Sequence, residues 1–275
     1  MRPFIVILLV LTALVSAWSL PEPATGGKDG KPISLLFLSG SLSMADGLDP
    51  VVARQLTARG YTFQVVDNRE PLTAEFLRQF NSVILYAMDD YTGGTYYSPG
   101  GVLLTNTAHN IRLLQAYVSD GGGLIIVPCM YGAGSQIAET YNEAFAPWKL
   151  QIGWETVRDD AHRIALPNME YAWTRHITPH PVTAGVQALL YATGIMRWDD
   201  AYPTVPLLLG DPAWQPLVRG EATSRGMRSV GSGKWVDGEA GVAPVLAAVR
   251  AAGKGRVAAV SPASYYLLTH AYLDA

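Results

Sequence analysis

The sequence predicts an α/β protein, a three-layer α/β/α sandwich around a mainly parallel sheet, and three observations carry that prediction. Short apolar, β-branched runs recur through the first half, at residues 33–38, 61–66, 82–87 and 124–127. Stretches with helical start and stop signals stand between them. The run Leu124-Ile-Ile-Val127 has no polar interruption, as expected of a parallel strand buried on both faces. Strands alternating with helices over about 100 residues imply βαβ units. Right-handed crossovers wind such units into a flavodoxin-like sandwich.

Each element has a local reason. Asp49 caps a helix with Pro50 at its first position, where a missing N–H costs nothing. That helix runs to Arg59 and stops at Gly60. Residues 61–66 are aromatic and β-branched, as strands favour. Thr73 caps the next helix, with Leu72 and Leu77 placed as a hydrophobic staple. After the third strand, residues 89–107 form a long loop containing three tyrosines. A helix over 109–120 follows and ends at Gly121-Gly122-Gly123, because glycine takes left-handed backbone angles without a steric penalty. The second half is less regular. It reads as a helix at 136–146, an edge strand at 150–157, and a turn-rich segment at 176–185 leading to a strand at 186–191. A strand at 214–219 and a polar, glycine-rich loop at 221–241 come next. Gly253-Lys-Gly-Arg-Val257 makes a tight turn into a last buried strand that ends near Ser261. Residues 265–273 begin a helix without a cap, which points to a C-terminally truncated fragment.

Composition bounds the function. The chain has 275 residues, 49% apolar and 16% charged, enough to bury a full core. A net charge of −3 and no basic run argue against a nucleic-acid partner. Residues 1–17 read as a secretory signal peptide, with Arg2, an apolar run and a small-residue cleavage site near Ala17. About 12 apolar residues are too few to span a bilayer comfortably, so a retained anchor is the weaker reading. Residues 18–32 then form a disordered leader and 33–275 a single domain. The mature chain is expected to be secreted or periplasmic, with no membrane span. Cys129 is the only cysteine, so no internal disulfide can form. No cofactor and no metal site is implied.

Four segments together carry a resemblance: Tyr117-Val-Ser-Asp-Gly-Gly-Gly-Leu-Ile-Ile-Val127, residues 177–185, residues 214–219, and Gly253-Lys-Gly-Arg-Val257. In their order and spacing the chain resembles the class I glutamine amidotransferase-like superfamily. Within it, the chain looks closest to exported relatives near the trehalose-utilisation (ThuA-like) proteins, over residues 33–268. Active members carry a nucleophilic Cys in a Gly-x-Cys-x-Gly elbow after this strand. Here the segment is Val127-Pro-Cys-Met-Tyr131, so Cys129 stands in the nucleophile's place without either glycine. Those glycines allow the strained turn that exposes the thiol, and Pro128 fixes φ and lacks an N–H. The family's base is a His before Pro-Glu after the last strand; here the residues are Ser261-Pro-Ala263. A thiol with no imidazole beside it stays mostly protonated at neutral pH. The resemblance therefore implies the fold without glutaminase activity.

The carboxyl ends of parallel strands are where such sheets bind ligands. Cys129 sits there, either as a small buried hydrophobe or as a nucleophile served by another imidazole, His109 or His270. Asp89 and Asp90 follow the third strand at the same rim. They either orient sugar hydroxyls or a cation or cap the loop by Asx-type bonds. Tyr91, Tyr96 and Tyr97 offer flat faces for sugar rings or pack as a lid, and Met130 and Tyr131 complete the candidate rim. His176 and His180 flank Pro179, which forbids the helix that zinc pairs at this spacing use; they read as turn residues. Asp159, Asp160, His162, Asp199 and Asp200 read as solvated loop charges. Trp173 and Trp198 either join the core or line a pocket. The leading expectation is a module that binds a small molecule or carbohydrate. The alternatives are a hydrolase rebuilt around Cys129 and a structural partner domain of a larger exported assembly.

Overall fold

The computed structural model describes residues 32–39, 48, 50–67, 70–86, 105–128, 141–153, 155–166, 169–193, 204–230 and 234–261. The expected signal peptide, the leader up to residue 31, the Asp49 cap and the helix at 265–273 lie outside them.

Four strands of the first half form as the apolar runs predict: β1 (Ile33–Ser39), β2 (Tyr61–Asp67), β3 (Ser82–Tyr86) and β4 (Gly123–Val127). Helix α1 (Pro50–Ala58) leads to β2, and Gly60 makes the turn with φ of +80°. Helix α2 is the single turn Ala74–Leu77, whose Thr73 side chain accepts from the Phe76 N–H. Leu72 and Leu77 are both buried, as the staple requires. Helix α3 (Thr105–Ser119) starts earlier than expected. It ends in a Schellman pair, Gly122 N–H to Tyr117 O and Gly121 N–H to Val118 O, with Gly121 at φ of +121°.

These strands belong to a nine-stranded sheet of order β2-β1-β3-β4-β15-β14-β10-β5. Its later members are β5 (Leu150–Ile152), β10 (Leu207–Leu209), β14 (Val245–Ala252) and β15 (Gly255–Val260). β11 (Gln215–Arg219) also pairs with β14. The run β2-β1-β3-β4-β15 is parallel throughout and has the flavodoxin-type strand order. The expectation of a mainly parallel sheet needs a correction on the other side. β14 pairs antiparallel with β15, β10 and β11, and β10 pairs antiparallel with β5. β14 and β15 form a hairpin around Gly253, so β14 has to run against the parallel set.

Each face of the sheet buries its own core. Leu36, Leu38, Leu85, Leu124 and Ile126 face α2, α3 and the helical residues 141–145. Leu35, Phe37, Ile84 and Ile125 point the other way, where Val52 and Leu56 of α1 cover part of the surface. The rest of that face is covered by β structure. Val157, Ala172, Leu189, Tyr191 and Leu217 join this second core. They come from β6 (Thr156–Arg158), β8 (Met169–Thr174), β9 (Leu189–Ala192) and β11. Each fully buried aliphatic side chain contributes about 1.5–3 kcal/mol.

Two expectations for the second half fail. The edge strand at 150–157 divides at Gly153: β5 closes the large sheet, while β6 joins a separate one. The loop expected at 221–241 is instead the strands β12 (Arg225–Ser229) and β13 (Trp235–Val242), in a sheet of order β13-β12-β6. Its glycines reflect crowding. A Cβ on Gly226 or Gly238 would overlap the Glu155 carboxylate. That carboxylate is buried and accepts from the Glu239 and Ala240 N–H groups. A third sheet, β7-β8-β9, adds β7 (Arg163–Leu166). No helix among the described residues is long and apolar enough to cross a membrane.

Candidate functional site

The carboxyl ends of β1, β3 and β4 stand side by side. Ser39 of β1 lies beside Tyr86 of β3, and Tyr86 beside Val127 of β4. The chain therefore enters the segments holding Asp89 and Cys129 from neighbouring strand ends. Asp89, Asp90, Tyr91, Tyr96, Tyr97, Cys129, Met130 and Tyr131 themselves lie outside the described residues, as do His270, Asp199, Asp200, Trp154 and Trp198. Below the rim, the buried Tyr141 hydroxyl donates to Val127 O at 3.3 Å. The Asn142 amide brackets Ile152, accepting from its N–H at 2.6 Å.

At the end of β15 stands Ser261, where the resemblance seen in the sequence implied a histidine. It is 1% exposed. Its hydroxyl donates to Val205 O and accepts from Val205 N–H at 3.1 Å, and its own N–H donates to Leu246 O at 2.8 Å. The proton and one lone pair of this hydroxyl are thus committed to one backbone residue. It ties the segment entering β10 to the end of β15.

The rings of His109, His162 and His180 are similarly engaged. His109 Nε2 donates to Leu72 O at 3.0 Å. Its neighbour Asn110 accepts from Leu72 N–H and donates to Glu70 O. His180 Nδ1 accepts from Val182 N–H at 3.1 Å, capping a short 3₁₀ turn at Pro181–Thr183. His176 lies in the adjoining turn, where its N–H donates to Thr174 Oγ1. The reading of both as turn residues holds.

Asp159 overturns an expectation. In place of a solvated loop charge, it is 1% exposed. It accepts from the Ala161 and His162 N–H groups, the Thr223 hydroxyl, and His162 Nδ1 at 2.9 Å. Four donors offset the desolvation of one carboxylate. His162 then meets the Trp173 ring edge to face at 4.7 Å, and Arg175 lies over the same ring. Trp173 thus packs between two side chains. Nearby, the Tyr191 hydroxyl is pushed well above the ordinary phenol range, by burial first and then by the Asp159 charge. Asp160, by contrast, sits exposed as expected.

The comparisons bear on the fold. No family model and no curated protein matches the chain in sequence. Among solved structures, the chain is similar to the mmIFT52 N-terminal domain, with a TM-score of 0.55 and 13% identity over 87% of this chain and 90% of that one. A likeness at this identity shows the fold alone. A ThuA-like protein from Bacteroides uniformis gives 0.44 at 12% identity, covering 88% of this chain and 86% of that one. A glutamine amidotransferase from Thermotoga maritima gives 0.40 at 9%, covering 82% and 74%. These two overlaps are too loose to add an argument. With its five parallel strands in flavodoxin-type order, the chain has a broadly α/β fold, extended by antiparallel strands along one edge and similar to that of the mmIFT52 N-terminal domain.

Proposed function

We propose that the mature chain is an exported ligand-binding or interaction module without glutaminase activity. Its site is the rim carrying Asp89, Asp90, Cys129 and the tyrosine loop, and carbohydrate is the ligand class that this chemistry suits. The observation that supports the absence of catalysis is Ser261. Where the family has an imidazole, this chain has a buried hydroxyl that closes a backbone tie. A thiol at Cys129 then has no base from the end of the last strand. His109 and His162 are held by Leu72 and Asp159, which weighs against a rebuilt hydrolase using either.

The test has two arms, both on folded protein lacking residues 1–17. Ammonia release from glutamine is expected to be indistinguishable from that of the Cys129→Ser variant. Oligosaccharide binding, read on a glycan array, is expected to be lost when Tyr91, Tyr96 and Tyr97 are replaced by alanine. Cys129-dependent ammonia release would refute the first statement. Glycan binding untouched by the tyrosine substitutions would refute the second.

A further inference from the structure

The large sheet forks on the far side of β14 from β4. β10 and β11 both pair with Val245 of β14 and then part. β11 is thrown off register by irregularities between Pro216 and Val218 and between Val218 and Arg219. Pro216 contributes to this because it has no N–H to give to a ladder. The parting leaves a cavity of about 620 Å³, within the range of small-molecule sites.

Its walls are fixed. Trp214, a buried lining residue, is held by its indole N–H donating to Trp148 O at 2.8 Å. Asp211 is held by the Ala213 N–H and by Arg250 at 3.1 Å, and the same guanidinium lies over the Trp214 ring. Pro212, Pro216 and Pro244 stiffen the rest of the lining. The Glu239–Ala240 wall is pinned from behind by the buried Glu155 carboxylate. Little has to be ordered when a ligand enters.

The charges in this wedge are not balanced in the same way. Asp211 already has Arg250. Arg219, half-buried in the lining, makes one long contact, from Nη1 to Ala243 O at 3.5 Å, and no ion pair among the described residues. A guanidinium brings five N–H donors in a fork that suits a carboxylate, and a half-buried one left without an anion pays for lost hydration. Glu239, exposed on the lining, disfavours a dianion such as a phosphate monoester.

We propose that this wedge is a binding site for a small organic carboxylate with an apolar body, its carboxylate on Arg219 and its body over Leu208, Pro212 and Pro216. The site does not depend on the rim reading and is separated from β4 by β15 and β14.

The test is calorimetric titration of the protein with 3-phenylpropionate, hexanoate and the neutral amide of each. At least one acid is expected to bind about tenfold or more tightly than its amide, and Arg219→Met is expected to remove that preference. Glu239→Gln, a change at an exposed side chain, is expected to tighten acid binding by about two- to fivefold. It serves as the second readout if Arg219→Met does not fold. No binding of either acid, equal binding of acid and amide, or acid binding unmoved by Glu239→Gln would each overturn the proposal.

Discussion

The parallel and antiparallel parts of the large sheet are held together by different physics. In the parallel part, β1, β3, β4 and β15 are sealed by apolar side chains on both faces, with one polar tie between Ser34 and Asn81 where β1 and β3 begin. Close backbone packing finishes the job at their amino ends. The turn after β14 donates from Lys254 N–H to Ser119 O, and Arg256 N–H reaches Gly122 O. The antiparallel part buries apolar side chains too, and adds polar ties, most of them between residues far apart in sequence. Ser261 holds Val205, Arg250 holds Asp211 and Trp148 O, and Asn142 holds Ile152. The lesson is that the part built on apolar periodicity fixes where strands end. The part built on polar ties is free to bulge and fork, and it opens a cavity.

This contrast can be broken at specific residues. Gly255→Ala should do the most damage, because a Cβ there would overlap the carbonyl oxygens of Gly122 and Val118, and backbone cannot swing aside. Overpacking typically costs about 1–3 kcal/mol and occasionally more, and rigid backbone on both sides puts this site at the upper end; a melting curve reads it, and unchanged stability would disprove the close packing. Asp159→Ala ranks next. It strands the Ala161 and His162 N–H groups and the Thr223 hydroxyl around a buried site, for a loss of about 2–4 kcal/mol by urea unfolding.

Smaller effects separate the ties more finely. Ser261→Ala leaves the N–H and C=O of Val205 without partners in the interior, at about 1–3 kcal/mol. Ser261→His, which introduces the residue type implied by the sequence resemblance, is expected to lower stability without producing ammonia release, because the position is sealed. The smallest effect belongs to Asp211. The Ala213 N–H first, then Arg250, holds its carboxyl below the ordinary range. A lowered folded-state pKa means that its contribution is present above about pH 4 and fades as pH falls below that. Melting temperature followed from pH 5 to pH 3 should therefore drop slightly less steeply in Asp211→Asn than in the wild type.

What the sequence shows, and what it hides, follows the same division. β1 to β4 announce themselves as apolar runs, and Thr73 and Gly60 as cap and stop, because those signals are local. The motifs Tyr117–Val127 and Gly253–Val257 are legible too, yet their meeting place is the amino end of β4 and β15, the end away from the rim. Gly122 is small because the Tyr117 ring lies against it. The β12–β13 hairpin was hidden because Gly226 and Gly238 look like loop glycines until the Glu155 carboxylate is placed against them. Asp159 looks like a surface charge because its donor Thr223 lies 64 residues away. The wedge at Arg219 left no local signal at all, since it arises from two strands sharing one partner. The rim residues from Asp89 to Tyr131 remain readable only as neighbours of the β3 and β4 ends.

The central claim is that Cys129 has no catalytic base, and the rate of its alkylation against pH in the folded protein tests that most directly. The account predicts a thiol that is either inert until denaturation or titrates near the ordinary value of about 8.5. Rapid labelling with an apparent pKa well below that value would reveal a cation or imidazole beside the sulfur, and would contradict it.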